Sequence, residues 1–200
     1  AEASKIYQQP RHRGSDPWIN FLMETDIDSL RLADVETVHL SYDMRILSCD
    51  NHTGEAYDPT IHAAQSLVYL FVRNVNHTSA DWGKYLWLGV GFFDNRQPSG
   101  LTKQPLTLWD AGTSTYIYTL AGDDVFGTVD FGDSRWHHAL VEVKIAMEDA
   151  IQSLRSKGFF TDACVDDFAV TGMNFGLELP GTFDVSCQFR RLMLKNKMKK

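Results

Sequence analysis

The sequence predicts a mostly β protein, an antiparallel two-sheet jelly-roll-like β-sandwich with one long helix. Two observations carry this. Apolar and polar residues alternate with period two through seven segments. A single segment, 137–157, switches to a helical stripe. Strands with one apolar and one mixed face bury their apolar faces against each other, which needs two sheets. A parallel sheet clad in helices would need a helix after nearly every strand.

The elements follow in order. Residues 1–16 are polar, with Pro10, Gly14 and the basic run Arg11, His12 and Arg13, and read as a flexible arm. In 18–26, Ile19, Phe21 and Met23 share one face, with Glu24 on the other. In 37–47, Val38, Leu40, Tyr42, Met44 and Ile46 alternate with His39, Ser41, Asp43 and Arg45. In 65–74, Val68, Leu70 and Val72 oppose Tyr69, Phe71 and Arg73. In 84–93, Leu86, Leu88, Val90 and Phe92 oppose Tyr85, Trp87, Gly89 and Gly91. Residues 115–120 set Tyr116 and Tyr118 against Ile117. In 173–179, Met173, Phe175, Leu177 and Leu179 oppose Asn174, Gly176 and Glu178. In 183–190, Phe183, Val185, Cys187 and Phe189 alternate with Asp184, Ser186, Gln188 and Arg190. Pro180-Gly181 marks the turn between the last two. The helix stripe is Leu140, Lys144, Met147, Ile151 and Leu154, with Ser134 upstream as an N-cap candidate and Gly158 as a C-cap.

A chain of 200 residues with 44% apolar and 22% charged residues is ordinary globular material, not a disordered one. No composition break marks a second domain, so 17–194 is read as one domain and 195–200 as a basic tail. Net charge is −7, and residues 190–200 hold six Lys or Arg and no acid. The remaining body is strongly acidic and repels a phosphate backbone, so nucleic acid is not an expected partner. No apolar run reaches eighteen residues, so no helical membrane span is expected. Cys49, Cys164 and Cys187 form no CxxC pair, and their disulfide state is open. Asn51-His52-Thr53 and Asn76-His77-Thr78 match the glycosylation acceptor pattern. The chain does not begin with Met and reads as a processed or excised segment of an extracellular or secreted protein, or of a multidomain parent.

The outer faces are unusual. A plain sandwich would show Thr, Ser, Lys and Glu there. Instead they carry Glu24, His39, Asp43, Arg45, Tyr69, Phe71, Arg73, Tyr85, Trp87, Tyr118, Asn174 and Glu178. Gly89, Gly91 and Gly176 lie among them, and strand glycines mark close approach by a ligand or another backbone. Aromatic rings stack on the apolar faces of sugars, and planar carboxylates, amides and guanidiniums pair with hydroxyls. The set therefore reads as a polysaccharide or oligosaccharide groove. A second small core under the helix is the competing reading.

Other features are weaker. Asp94-Asn95-Arg96 and Asp110-Ala111-Gly112-Thr113 read first as Asx turns. Asp123, Asp124 and Asp130 lie in an Asp- and Gly-rich loop and are the calcium candidates, but their spacing is not that of an EF-hand. No other cofactor is called for. His137 and His138 are adjacent and point about 100° apart on a helix, so they would not chelate one metal together. No GxSxG, P-loop or HExxH motif occurs.

Residues 87–96 (WLGVGFFDNR) and 172–185 (GMNFGLELPGTFDV) give the chain a resemblance to the carbohydrate-associated jelly-roll modules of extracellular glycan-degrading systems. The resemblance implies a class only: sandwich domains that bind glycans, some of which cleave them. The leading expectation is non-catalytic polysaccharide binding through Trp87, Tyr85, Tyr69, Tyr118, His39, Asp43, Arg45, Arg73, Asn174 and Glu178. The alternative is a glycoside hydrolase, with Glu24 and Glu178 as the carboxyl pair, or a lyase with His39 as base. A protein-interaction sandwich is the third reading.

Overall fold

A computed structural model describes every residue except Gln8, and the backbone but not the side chain of Phe92. The assignment of Phe92 to the inner face therefore lies outside the described residues. Nine strands form two sheets: β1 (Ile19–Arg31), β2 (Val35–Asn51), β3 (Gln65–Asn74), β4 (Tyr85–Asp94), β5 (Leu106–Asp110), β6 (Thr115–Thr119), β7 (His137–Glu142), β8 (Phe168–Leu179) and β9 (Phe183–Met198). The helices are α1 (Gly122–Phe126) and α2 (Val143–Arg155). The large sheet runs β1-β8-β3-β4-β6-β5 and the small one β7-β2-β9. Pairing is antiparallel except between β4 and β6, which run parallel.

The alternating residues do face inward. Val38, Leu40, Tyr42 and Met44 of β2 are buried against Val68, Leu70 and Val72 of β3 and Leu86, Leu88 and Val90 of β4. The Tyr42 hydroxyl donates to the Val90 carbonyl at 2.6 Å, so the one polar atom of this ring is satisfied inside the core. A small sheet of three strands cannot cover one of six. At one end α2 fills the gap, burying Ala146, Met147, Ala150, Ile151 and Leu154 in the same core. Its Ser153 hydroxyl lies 2.8 Å from that of Thr107 on β5. At the other end β1 is covered only in part: Ile27 and Leu30 pack against the core, whereas its inward residues Phe21 and Met23 stay 62% and 49% exposed.

The helix is shorter than the stripe implies. Residues 137–142 are a strand, with His137, Ala139 and Val141 buried and His138 and Leu140 outside. Leu140 fits the helical stripe by spacing, but it faces solvent. Ser134 is not the cap; the Glu142 carboxylate accepts from the Ile145 N–H at 2.8 Å and starts α2 there. Gly158 does end it, with φ +74°.

The ends of the chain are more ordered than composition indicates. The Ser4 hydroxyl donates to Asp184 at 2.8 Å. β9 continues to Met198, and Lys195 and Lys197 pair with His39 and Thr37, so most of 195–200 is strand rather than tail. All three cysteines are free thiols.

Gly176 is the tightest point between strands. It has φ +150°, and a Cβ there would overlap the Phe21 carbonyl of β1. Gly176→Ala is expected to lose about 2–3 kcal/mol, read as a lowered urea midpoint.

Candidate functional site

Among the described residues no helix or strand covers the face of the large sheet turned away from the core. Pairing registers arrange its side chains in rows. One row runs Glu24, Asn174, Tyr69, Gly89, Thr119 and Leu106. The next runs Asp26, Gly172, Phe71, Trp87, Ile117 and Leu108. Beyond it Arg73 lies opposite Tyr85. On the opposite side Asn20, Glu178, Gln65 and Asp94 form a polar row.

Three half-buried aromatics cluster around Trp87, itself half-buried. Its ring centroid is 4.5 Å from Phe71, 5.8 Å from Tyr69 and 6.4 Å from Tyr85. The glycines serve these rings rather than a ligand. A Cβ at Gly89 would meet Tyr69 and Thr119, and one at Gly172 would meet Phe71. The space at Gly91 is filled by Val125 and Phe126, and that at Gly176 by β1 itself. Two buried polar atoms on this face have no partner among the described residues: Trp87 Nε1, a donor, and Asn174 Oδ1, an acceptor. Such atoms are costly unless water or a ligand meets them.

Beside the cluster opens a cleft of about 540 Å³, lined by Gln65, Tyr69, Asp94, Arg96, Leu106, Leu108, Ile117, Thr119 and Glu178 among others. Burial raises the Glu178 carboxyl above its ordinary value, and the Asp110 carboxylate raises it further. Burial likewise pushes the Tyr69 hydroxyl up. Asp94 is occupied: Arg96 Nε donates to it at 2.9 Å, and Gln65 Nε2 at 2.9 Å. Its Oδ1 also accepts the Arg96 N–H at 3.0 Å, the Asx turn read from the sequence. Asp110 closes the β5–β6 hairpin in the same way, accepting the Gly112 N–H at 3.0 Å.

Of the predicted residues, Tyr69, Tyr85, Trp87, Arg73, Asn174, Glu178 and Glu24 share this face. Four others do not. Tyr118 is buried in the core at 4% exposure, because β6 turns Tyr116 and Tyr118 inward and sends Ile117 to the cleft. His39, Asp43 and Arg45 lie on β2, on the outer face of the other sheet, so His39 cannot serve as a base in the cleft. Glu24 is exposed on the edge strand opposite Asn174, and Glu178 is four residues beyond Asn174. Their backbones are therefore roughly 13 Å apart along the strand, and Glu24 does not line the cleft. The two do not flank one bond as a catalytic pair must. Asp123 and Asp124 sit in the first turn of α1, and Asp130 accepts the Gly132 N–H at 2.8 Å. Among the described residues no three His, Cys, Asp or Glu come together as a metal site. Sequence reasoning missed Gln65, Thr119, Leu106 and Leu108, and gave Asp110 no part in the site. Nothing in period two says which strand lies next to which.

On the opposite outer face Asp43 is almost fully buried. His138 Nδ1 lies 2.8 Å from it, and Arg190 Nε and Arg191 Nε donate at 2.8 and 2.7 Å. Burial alone would raise this carboxyl; the three hydrogen-bond partners outweigh it and bring it down to about 2.

No protein-family model matches the chain, and no curated protein matches it. Among solved structures, it is similar to the xyloglucanase domain of NopAA, a type three effector from Sinorhizobium fredii in complex with cellobiose. Identity is 12% over 92% of this chain and 79% of that one, with a TM-score of 0.46. A native family 12 xyloglucanase from Bacillus licheniformis gives 11%, 94%, 79% and 0.49. Endoglucanase cel12A from Rhodothermus marinus gives 13%, 82%, 66% and 0.41. At these values no residue role is carried across.

The Asp43 and Glu178 carboxyls have opposite linkage. Asp43 has a depressed folded value, so its stabilisation is present above about pH 4 and lost as pH falls through about 2. Asp43→Asn is expected to cost about 2–3 kcal/mol at pH 7 and much less towards pH 2. Glu178 has a raised folded value, so ionising it opposes folding as pH rises. Glu178→Gln is expected to raise the urea midpoint at pH 7 and leave it unchanged at pH 3.

Proposed function

We propose that the open face of the large sheet binds a glycan chain and that Glu178 protonates a glycosidic oxygen, making the chain a glycoside hydrolase. The observation that carries this is the half-buried Glu178 carboxyl, which faces the cleft and is raised by burial and by the charge of Asp110. A general acid must hold its proton near neutral pH, and burial against Leu106, Leu108 and Ile117 favours that. As the bond to the anomeric carbon breaks, the leaving oxygen takes the Glu178 proton. A water attacks that carbon as the glycosidic bond breaks and releases its proton to solvent; Asp110, whose oxygens accept from the Gly112 N–H and the Thr113 hydroxyl and which does not line the cleft, is not assigned as its base. Asp94 is excluded from the role by its pairing with Arg96.

The neighbouring aromatics supply stacking surface for further sugar units. Trp87 Nε1 and Asn174 Oδ1 supply a donor and an acceptor for hydroxyls.

The test is native affinity electrophoresis against neutral β-glucans and hemicelluloses, with reducing ends assayed in the same mixtures. Wild type should be retarded and release product. Glu178→Gln should release at least a hundredfold less while being retarded as before. Trp87→Ala should weaken retardation tenfold or more, about 1.4 kcal/mol. Retardation without product would favour the second reading, a non-catalytic binding domain, which the misplaced Glu24 supports. Neither retardation nor product would overturn both.

A further inference from the structure

The β1 end of the open face sets carboxylates beside a buried acceptor, with no cation to meet them. Glu24 and Asp26 are exposed and share the outer side of β1, about 7 Å apart along the strand. Glu24 stands directly opposite Asn174 of β8, and Asp26 opposite Gly172. Asn174 is 3% exposed, yet its Oδ1 has no partner among the described residues. Opposed residues of an antiparallel pair keep their Cβ atoms about 5 Å apart, so Glu24 stands beside this acceptor. Charges on an edge strand commonly guard it against pairing with another chain. That role needs no orphaned acceptor behind them.

The cations of this side of the sandwich are committed or distant. Among the described residues neither carboxylate is in an ion pair; Arg31, at the end of the same strand, lies 4.0 Å from Asp34 instead. Arg73 lies two strands over and two residues along from Asp26, about 12 Å away. Arg96 is paired with Asp94, and Lys103 stands at the far end of the face, on the loop before β5. The aromatic cluster, by contrast, adjoins the acids. Gly172 separates Asp26 from Phe71, and the Phe71 ring fills the space above that glycine.

We infer that this end of the face is a subsite for a protonated amine, and that the glycan taken here carries amino sugars. The inference rests on the reading of the face as a glycan site. An ammonium offers three donors and no acceptor, which suits two carboxylates and one amide oxygen. Charge-assisted hydrogen bonds of this kind are about twice as strong as neutral ones. Hydroxyls of an uncharged sugar satisfy Asn174 but leave both charges unmatched. The Phe71 and Trp87 rings give the adjoining sugar units a surface to stack on. A cationic chain is also drawn to the protein as a whole, whose net charge is −7. Glu24 and Glu178 lie about 13 Å apart along the sheet, so a chain of several units spans both.

The probes are a glucosamine hexamer and its fully N-acetylated counterpart, titrated by calorimetry at about pH 6 in low and high salt. Wild type should bind the amine form about tenfold more tightly, and high salt should remove the difference. Glu24→Gln with Asp26→Asn, both exposed, should lose this preference and bind the two hexamers alike. No binding of the amine form, equal affinity for the two hexamers in wild type, or a preference that survives in the double variant overturns the inference. Tighter binding of a hexalysine peptide overturns it in favour of a cationic protein partner. A neutral glucan bound and cleaved, with no preference for amines, would defeat this inference alone. Amine-dependent binding with no product from any glycan would defeat the hydrolase reading and leave the subsite standing.

Discussion

The structure depends on a mismatch of widths. Three strands are set against six, and one apolar layer must still be closed. β2 lies at the centre of the small sheet and gives its entire inner face, from Val38 to Ile46, to the common core. What it cannot reach is covered at one end by α2 and left partly open at the other, over β1. The same mismatch leaves the outer face of the large sheet broad and without a helix upon it. Its aromatic side chains are consequently half-buried by each other rather than by a second layer.

The two outer faces solve different electrostatic problems. On the large sheet partial burial of the Glu178 carboxyl, and the charge of Asp110 after it, both disfavour the ionised form. On the small sheet a carboxylate is withdrawn from water among guanidiniums and an imidazole, and stays ionised. Burial acts in the same direction on both groups. The sign of the outcome is set by the neighbours, which come from strands far apart in sequence.

That distance explains what could be read beforehand. Alternation in β2, β3, β4, β8 and β9 named the inward residues, because burial of one face is a local property of a strand. It does not say which sheet a strand joins, so His39, Asp43 and Arg45 carry the same pattern as Tyr69 and Trp87, although the core lies between them. The short β6 was read backwards on its outer side: Tyr is the more polar residue, yet its large ring fills the core beneath α2 while Ile117 lines the cleft. In 137–142 an exposed Leu140 extended the helical period by one turn and hid a strand. Glu178 was legible as an outward acid with aromatic neighbours.

The pairing of β1 with β8 and of β2 with β9 carries a consequence for synthesis. Glu24 meets Asn174, 150 residues later, and Asp43 meets Arg190, 147 residues later. The strands made early must therefore wait, apolar faces uncovered, until most of the chain has left the ribosome. Assembly of the sandwich is then a slow, late event dominated by non-local closure. Truncation before β8 is expected to leave material that aggregates rather than a smaller folded unit.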